Sequence, residues 1–105
     1  MAVNSRAKGK RAELDVAHIL QAYGYDARRG QQYSGASGDP DVIGLPGVHL
    51  EVKRVERLNL DAAYAQAVND KRDGEIPVVV HRKSRQPWMV TMSFDDWLKL
   101  YGGKE

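Results

Sequence analysis

Asp41, Glu51 and Lys53 are the residues whose type and spacing could do chemistry together. Asp41 follows Pro40, and nine residues separate it from Glu51-Val52-Lys53. In an extended strand side chains alternate faces, so Glu51 and Lys53 share one side while Val52 points to the other. An acid and a lysine on a mostly apolar strand are costly to bury without a purpose. If Asp41 begins a neighbouring strand that pairs as a hairpin, its carboxylate comes near that of Glu51. Two carboxylates converging on one point make a hard-cation site of the kind Mg²⁺ prefers, with water and phosphate completing the shell. The lysine beside them can orient or deprotonate a water, or neutralise charge building on phosphate. Glu13 adds a third carboxylate. It lies on the same helical side as Val16, Ala17 and Leu20, which must face the sheet; the alternative is a surface glutamate near a helix N-terminus, favoured there by the macrodipole.

Neighbouring residues compete for these roles. Asp39 lies two residues before Asp41; the Pro-Asp step favours Asp41 as the ligand, with Asp39 shaping the turn. His49 shares the strand parity of Glu51 and Lys53. We read it as a surface histidine near a strand end, with a place at the border of the site as the alternative. His18 and His81 have no partner pattern and are read as structural. The histidines show no zinc-ligand spacing. The chain has no cysteine, which excludes disulfides, thiolate zinc sites and cysteine nucleophiles.

The elements that must position these residues follow from periodicity and turn chemistry. Ala12, Val16, Ile19, Leu20 and Tyr23 recur at helical spacing, which predicts a helix from Ser5 to Tyr23, stopped at Gly24. Tyr25 to Arg29 reads as a short strand, Gly30 to Pro40 as a mobile loop, and Asp41 to Leu45 as a second short strand. After a Pro46-Gly47 turn, Val48 to Arg54 forms the next strand. Leu60 to Asp73 is a second helix, ended by Gly74. Pro77 to Lys83 and Trp88 to Met92 are strands. Ser93 caps a last helix, Phe94 to Tyr101, with Asp96 at its third position. The strand–helix–strand run through Leu60 reads as a crossover that makes two strands parallel, with Val78-Val79-Val80 buried on both faces. The fold class is a small α/β sandwich with a mixed sheet. Trp88, Phe94 and Trp97 fall at apolar positions and are read as core. Tyr33, in the loop, has little core to join and could stack on a base.

At 105 residues and 11.7 kDa, residues 1–105 make one domain. The margin for a core is thin, and a partner subunit would help. No apolar run approaches the ~20 residues of a membrane span. The stretch Met1 to Arg11 lacks the apolar run of a secretory signal, so the expectation is a soluble cytoplasmic protein. Net charge is only +2, but it is segregated. Arg6, Lys8, Lys10 and Arg11 precede the first acid; Arg28-Arg29 and Arg82, Lys83 and Arg85 form two more clusters. Such clusters suit a polyanion partner, or are solvated helix ends and loops.

With these residues in place the chain resembles the PD-(D/E)xK nuclease superfamily, and within it the small Holliday junction resolvase-like branch, including phage-type endonucleases of this size. The resemblance runs through Lys8-Gly9-Lys10-Arg11-Ala12-Glu13, Arg28-Arg29 to Ser34-Gly35, Gly38-Asp39-Pro40-Asp41-Val42 and Glu51-Val52-Lys53. It continues past Gln66 on the second helix to the Pro77 strand. It implies a restriction-endonuclease-like mixed sheet flanked by helices, with an α-β-β-β-α-β core. It also implies a metal-dependent phosphodiesterase. By that pattern Asp41 and Glu51 are metal ligands, Glu13 is a further metal-site acid, Lys53 is the catalytic lysine and Gln66 supports the site. Ser34 resembles a loop serine that approaches the scissile phosphate.

The expected function is therefore a DNA endonuclease using one or two Mg²⁺ or Mn²⁺ ions. Arg6, Lys8, Lys10, Arg11 and Arg29 are expected to grip phosphates, with Arg28, Arg82 and Lys83 as further candidates. Such contacts fix register without reading sequence. The resemblance implies branched DNA such as Holliday junctions, and symmetric paired cuts imply a homodimer. The alternatives are a nicking or structure-nonspecific nuclease of the same superfamily, a non-catalytic nucleic-acid-binding module, and a protein-interaction domain whose basic stretches are merely solvated.

Overall fold

The structure, a computed structural model, describes residues 5–30 and 40–102, with side chains from residue 8 onward. Tyr33, Ser34 and Asp39 lie outside the described residues. The order is α1 (Ser5–Ala22), β1 (Arg28–Arg29), β2 (Val42–Ile43), β3 (Val48–Arg54), α2 (Leu60–Asp70), β4 (Ile76–Arg82), β5 (Met89–Thr91) and α3 (Phe94–Gly102). The strands form one five-stranded mixed sheet in the order β1-β2-β3-β4-β5. β1, β2 and β3 form an antiparallel meander. The α2 crossover makes β4 parallel to β3, and β5 returns antiparallel.

The sheet separates two cores. On one face α1 buries Ala12, Val16 and Ala17 against Val42, Leu50, Val52, Val78 and Val80. Small residues on the helix let it lie close to the β-branched strands. Ile19 and Tyr23 share the expected periodicity but are exposed, because Ala17 rather than Ile19 meets the sheet. On the other face Ala63 and Ala67 of α2 cover Val79. The three central valines of β4 are buried in both directions, as their run predicts. Pro77 sits in this strand without breaking it. Ile76 N–H donates to Gly47 on the β3 side, so the nitrogen of Pro77 faces the β5 side. The pairing with β5 begins only at Val79, and no donor is needed there.

Several boundaries differ from expectation. β1 and β2 shrink to two residues each, because Gly44 turns with φ +107° and packs against the backbone of Asp26 and Ala27. α2 ends at Asp70 rather than Asp73, since Lys71 is already extended; Gly74, with φ +86°, serves the following turn. Asn59 caps α2 by accepting from Ala62 N–H, and Ser93 Oγ accepts from Asp96 N–H at 3.1 Å, the cap expected for α3. His81 finds a partner in Thr91 Oγ1 at 2.9 Å. The largest correction concerns aromatics. Phe94 is 71% exposed and Trp97 45%. α3 follows an edge strand of three residues and buries none of its side chains, so the core role expected of these rings fails. Trp88 alone of the three packs against the core.

Gly30 is the tightest point between sheet and site. Its N–H donates to the Asp41 carbonyl at 2.8 Å, and an added Cβ would run into the Pro40 carbonyl oxygen. Gly30→Ala is expected to destabilise the fold by about 1–3 kcal/mol, as overpacking does. Gly9→Ala, on α1 where a Cβ meets nothing, is expected to stabilise by roughly 0.5–1 kcal/mol through helix propensity. Urea denaturation of the two variants beside the parent checks both signs.

Candidate active site

β2 and β3 part company at Asp41. Asp41 N–H still donates to the Leu50 carbonyl at 2.9 Å, continuing the ladder. One step further a side chain replaces the missing strand: Val52 N–H donates to Asp41 Oδ2 at 2.8 Å. A charge-assisted bond of this kind fixes the carboxylate more firmly than rotamer preference could. Asp41 is thereby held, 7% exposed, beside the segment that carries Glu51.

Strand parity does the rest. Leu50 and Val52 belong to the α1 core, so His49, Glu51 and Lys53 project toward α2. There Lys53 Nζ donates to Gln66 Oε1 at 3.2 Å. Asp70 lies one turn beyond Gln66 on the same helix face. Glu51 is 2% exposed. Burial, and then the charge of Asp41, push its carboxyl above the ordinary value, and the hydrogen bond to His49 opposes that rise. Glu13 comes from the other layer. Burial raises its carboxyl also; a bond from Arg29 Nε at 2.9 Å opposes this, and the charge of Asp41 adds to it. Asp41 thus acts on acids in both layers.

His49 corrects the expectation of a surface residue. It is fully buried, with Nε2 2.8 Å from Glu51 Oε1. The strand end it occupies is covered by α2, so the face that reads as exposed is interior. Asp70 also escaped the sequence reading; its signal was the four-residue spacing from Gln66. Donor atoms of His49, Glu51 and Asp70 lie within 4.8 Å of one another. Glu13, Asp41 and Glu51 form no second such group among the described residues.

The basic residues divide. Lys8, Lys10 and Arg11 line the first half of α1, with Lys10 and Arg11 exposed. Arg6 lies on the same helix, its side chain outside the described set. Arg29 is tied to Glu13. Arg82 donates from Nε to the Gln86 carbonyl at 2.7 Å and lies over the Trp88 ring, so its part is structural. A cavity of about 720 Å³ opens beside Pro40, with Arg28, Arg29 and Arg72 in its lining.

These residues fit a divalent cation. Carboxylate oxygens are the donors that Mg²⁺ and Mn²⁺ take. Acids whose carboxyls are pushed up by burial and by one another are relieved by a positive ion, which inverts the local electrostatics.

Topology and site together define a restriction-endonuclease-like α/β fold. The fold is similar to that of the solved structure of Hjc from Archaeoglobus fulgidus, a Holliday junction resolvase from an archaeal hyperthermophile, with a TM-score of 0.61 and 24% sequence identity over 78% of this chain and 74% of that one. At the level of the fold, the resemblance seen in the sequence holds. No protein-family model and no curated protein matches the chain in sequence. No helix among the described residues is long and apolar enough to cross a membrane.

The raised carboxyl of Glu51 has a stability consequence whose sign is fixed. The folded state holds this proton more tightly than the unfolded chain, whose value is near 4.5. The associated stability is present below 4.5 and lost as pH rises through the folded value. At neutral pH the ionised carboxylate therefore burdens the metal-free fold. Glu51→Gln, which can still accept from His49, is expected to raise the melting temperature in EDTA at pH 7.5. That gain should shrink as pH falls toward 4.5, where the carboxyl of the unfolded chain also takes up its proton. Thermal scans of parent and variant across this range check it.

Proposed function

We propose that the chain is a divalent-metal-dependent DNA endonuclease that acts on branched DNA, as a junction resolvase. The observation that carries this reading is the Asp41 carboxylate fixed on Val52 N–H beside buried Glu51, with Lys53 held by Gln66 on the same strand face.

Asp41 and Glu51 would hold the ion, with Glu13 as the further acid. A bound Mg²⁺ or Mn²⁺ supplies a water of lowered pKa and a positive charge at the scissile phosphate. Lys53, aimed by Gln66, orients that water or neutralises the phosphate as its charge builds. Arg29 keeps Glu13 in place and adds a cation beside the DNA. Arg6, Lys8, Lys10 and Arg11 would grip phosphates along α1, and Ser34 would approach the scissile group from the loop. The cavity at Arg28, Arg29 and Arg72 offers a basic path for the backbone.

Incubation with linear, nicked, flapped and four-way DNA in Mg²⁺, Mn²⁺ and Ca²⁺ tests the reading. Cleavage of the four-way substrate is expected with Mg²⁺ and Mn²⁺, and DNA binding without efficient cleavage with Ca²⁺. Asp41→Ala and Glu51→Ala should lose cleavage. Lys53→Ala should lower it by roughly 100-fold or more while binding DNA in Ca²⁺ as the parent does. Full activity of Glu51→Ala would sink the site; equal cutting of all substrates would leave a nuclease without the resolvase assignment.

Resolving a junction needs two cuts related by symmetry, and a two-fold homodimer supplies them. A face for that contact is present. Val90, Phe94, Trp97, Leu100 and Tyr101 are exposed along β5 and α3, the rings of Trp97 and Tyr101 stack at 5.2 Å, and an entirely apolar cavity of about 310 Å³ is lined by Val90 and Leu100. Apolar surface of this kind is characteristic of subunit contacts. Trp97→Glu with Tyr101→Lys is expected to give a monomer by light scattering and to convert paired cuts into single nicks. A dimer that survives both changes would place the interface elsewhere.

A further inference from the structure

His49 is a buried polar group to which the cleavage chemistry assigns no task. It lies two residues before Glu51 on the same side of β3, fully buried. A carboxylate serving as a metal ligand is ionised and can only accept, so Nε2 of His49 carries the hydrogen and donates to Glu51 Oε1 at 2.8 Å. Nδ1 has no hydrogen-bond partner. The Glu75 carboxylate, 3.8 Å away, is beyond hydrogen-bonding distance. Among the described residues, the hydrogen bond that Glu51 receives comes from this imidazole. A leucine in the same place would leave no orphaned nitrogen inside the protein but would strip buried Glu51 of its donor, so the one atom of this ring that the site uses is Nε2. What the histidine supplies is a donor at a fixed point on one oxygen of Glu51.

We propose that His49 is a positioning residue for Glu51. Its Nε2–H clamps one carboxylate oxygen so that the group is already fixed in place when the cation arrives. This rests on the metal-dependent reading of the site. Outer partners of metal ligands act in this way, and their loss commonly weakens metal affinity while the ligand itself remains. The rival arrangement has His49 itself as a ligand, with Glu51 and Asp70, since donor atoms of the three lie within 4.8 Å.

The test is Mn²⁺ binding to the whole protein, followed by calorimetry, for the parent and for His49→Gln, His49→Asn and His49→Leu. A glutamine amide can reach the position of Nε2; an asparagine amide falls short, near Nδ1; leucine has no donor. The expected result is about 10–100-fold weaker Mn²⁺ binding in His49→Leu and His49→Asn, with His49→Gln recovering most of the loss. Cleavage at saturating Mn²⁺ should retain the parental KM for DNA, with the defect confined to the metal dependence. The metal-free melting temperature of His49→Leu should fall at pH 7.5, because buried Glu51 loses its donor, so the positioning role is read from Mn²⁺ affinity and its recovery in His49→Gln. Parental Mn²⁺ affinity in His49→Leu, or no recovery in His49→Gln, overturns the proposal while leaving the endonuclease reading intact. Directly bonded ¹⁴N coupling in the electron-spin-echo spectrum of bound Mn²⁺ would make His49 a ligand and likewise overturn it. A parent protein that binds no Mn²⁺ removes both.

Discussion

Glu51 ionises against resistance. It is buried, and Asp41 sets a second negative charge near it. Charge in such a place must be met by hydrogen bonds, opposite charge or a cation, or it takes up a proton. Each neighbour can be read as an answer to that demand. His49 donates to one oxygen. Lys53 projects from the same face. Val52 N–H occupies an oxygen of Asp41, which spreads and fixes the second charge. Arg29 does the same for Glu13 across the sheet. These partners lessen the repulsion without removing it, since both Glu13 and Glu51 remain raised. The remainder is the electrostatic work a divalent cation can do.

The fold supplies this arrangement because its edge strands are short. Had β2 continued alongside β3, a backbone carbonyl would have taken Val52 N–H and Asp41 would have been an ordinary strand residue. Two residues of β2 leave the donor open, and Asp41 takes it. At the Asp41 end Gly30 lies against the Pro40 carbonyl, while at the other end the left-handed turn of Gly44 against Asp26 and Ala27 stops the strand. The parallel crossover contributes the other half. It lays α2 over His49, Glu51 and Lys53, so that Gln66 and Asp70 come down one helix face onto one strand face. Sheet topology and site chemistry are thus fixed by the same few contacts.

Most of this was legible where the signal is periodic. The alternation of β3 put Glu51 and Lys53 on one side, and the span Val48 to Arg54 needs no adjustment. The valine run of β4, the crossover and the Ser93 cap are local or strictly patterned, and they stand as read. What was not legible depends on what covers a surface. His49 looked exposed because a strand end usually is, and nothing in the sequence says that α2 reaches that far down. Phe94 and Trp97 looked buried because apolar spacing defines a helix face without saying that anything lies against it. The Arg29–Glu13 pair joins residues sixteen apart, beyond any local pattern. Asp70 carried a signal, its spacing from Gln66, which has meaning only once Gln66 is known to touch Lys53.

The two unusual surfaces of this molecule sit at different places on one sheet. The acids cluster around β2 and β3, while the uncovered aromatic face belongs to β5 and the helix that follows it, with β4 between them. Neighbouring strands are about 4.8 Å apart, so the β5 edge lies roughly 10 Å from the strand that carries Glu51. A second copy docked on β5 and α3 would meet the sheet at the edge opposite β1, away from the cavity beside Pro40. A partner on the β1 edge would instead cover Arg28, Arg29 and the cavity beside Pro40. The separation of buried charge from exposed apolar surface thus bears on both proposals at once. It permits a protomer to be completed by its twin without closing its own site.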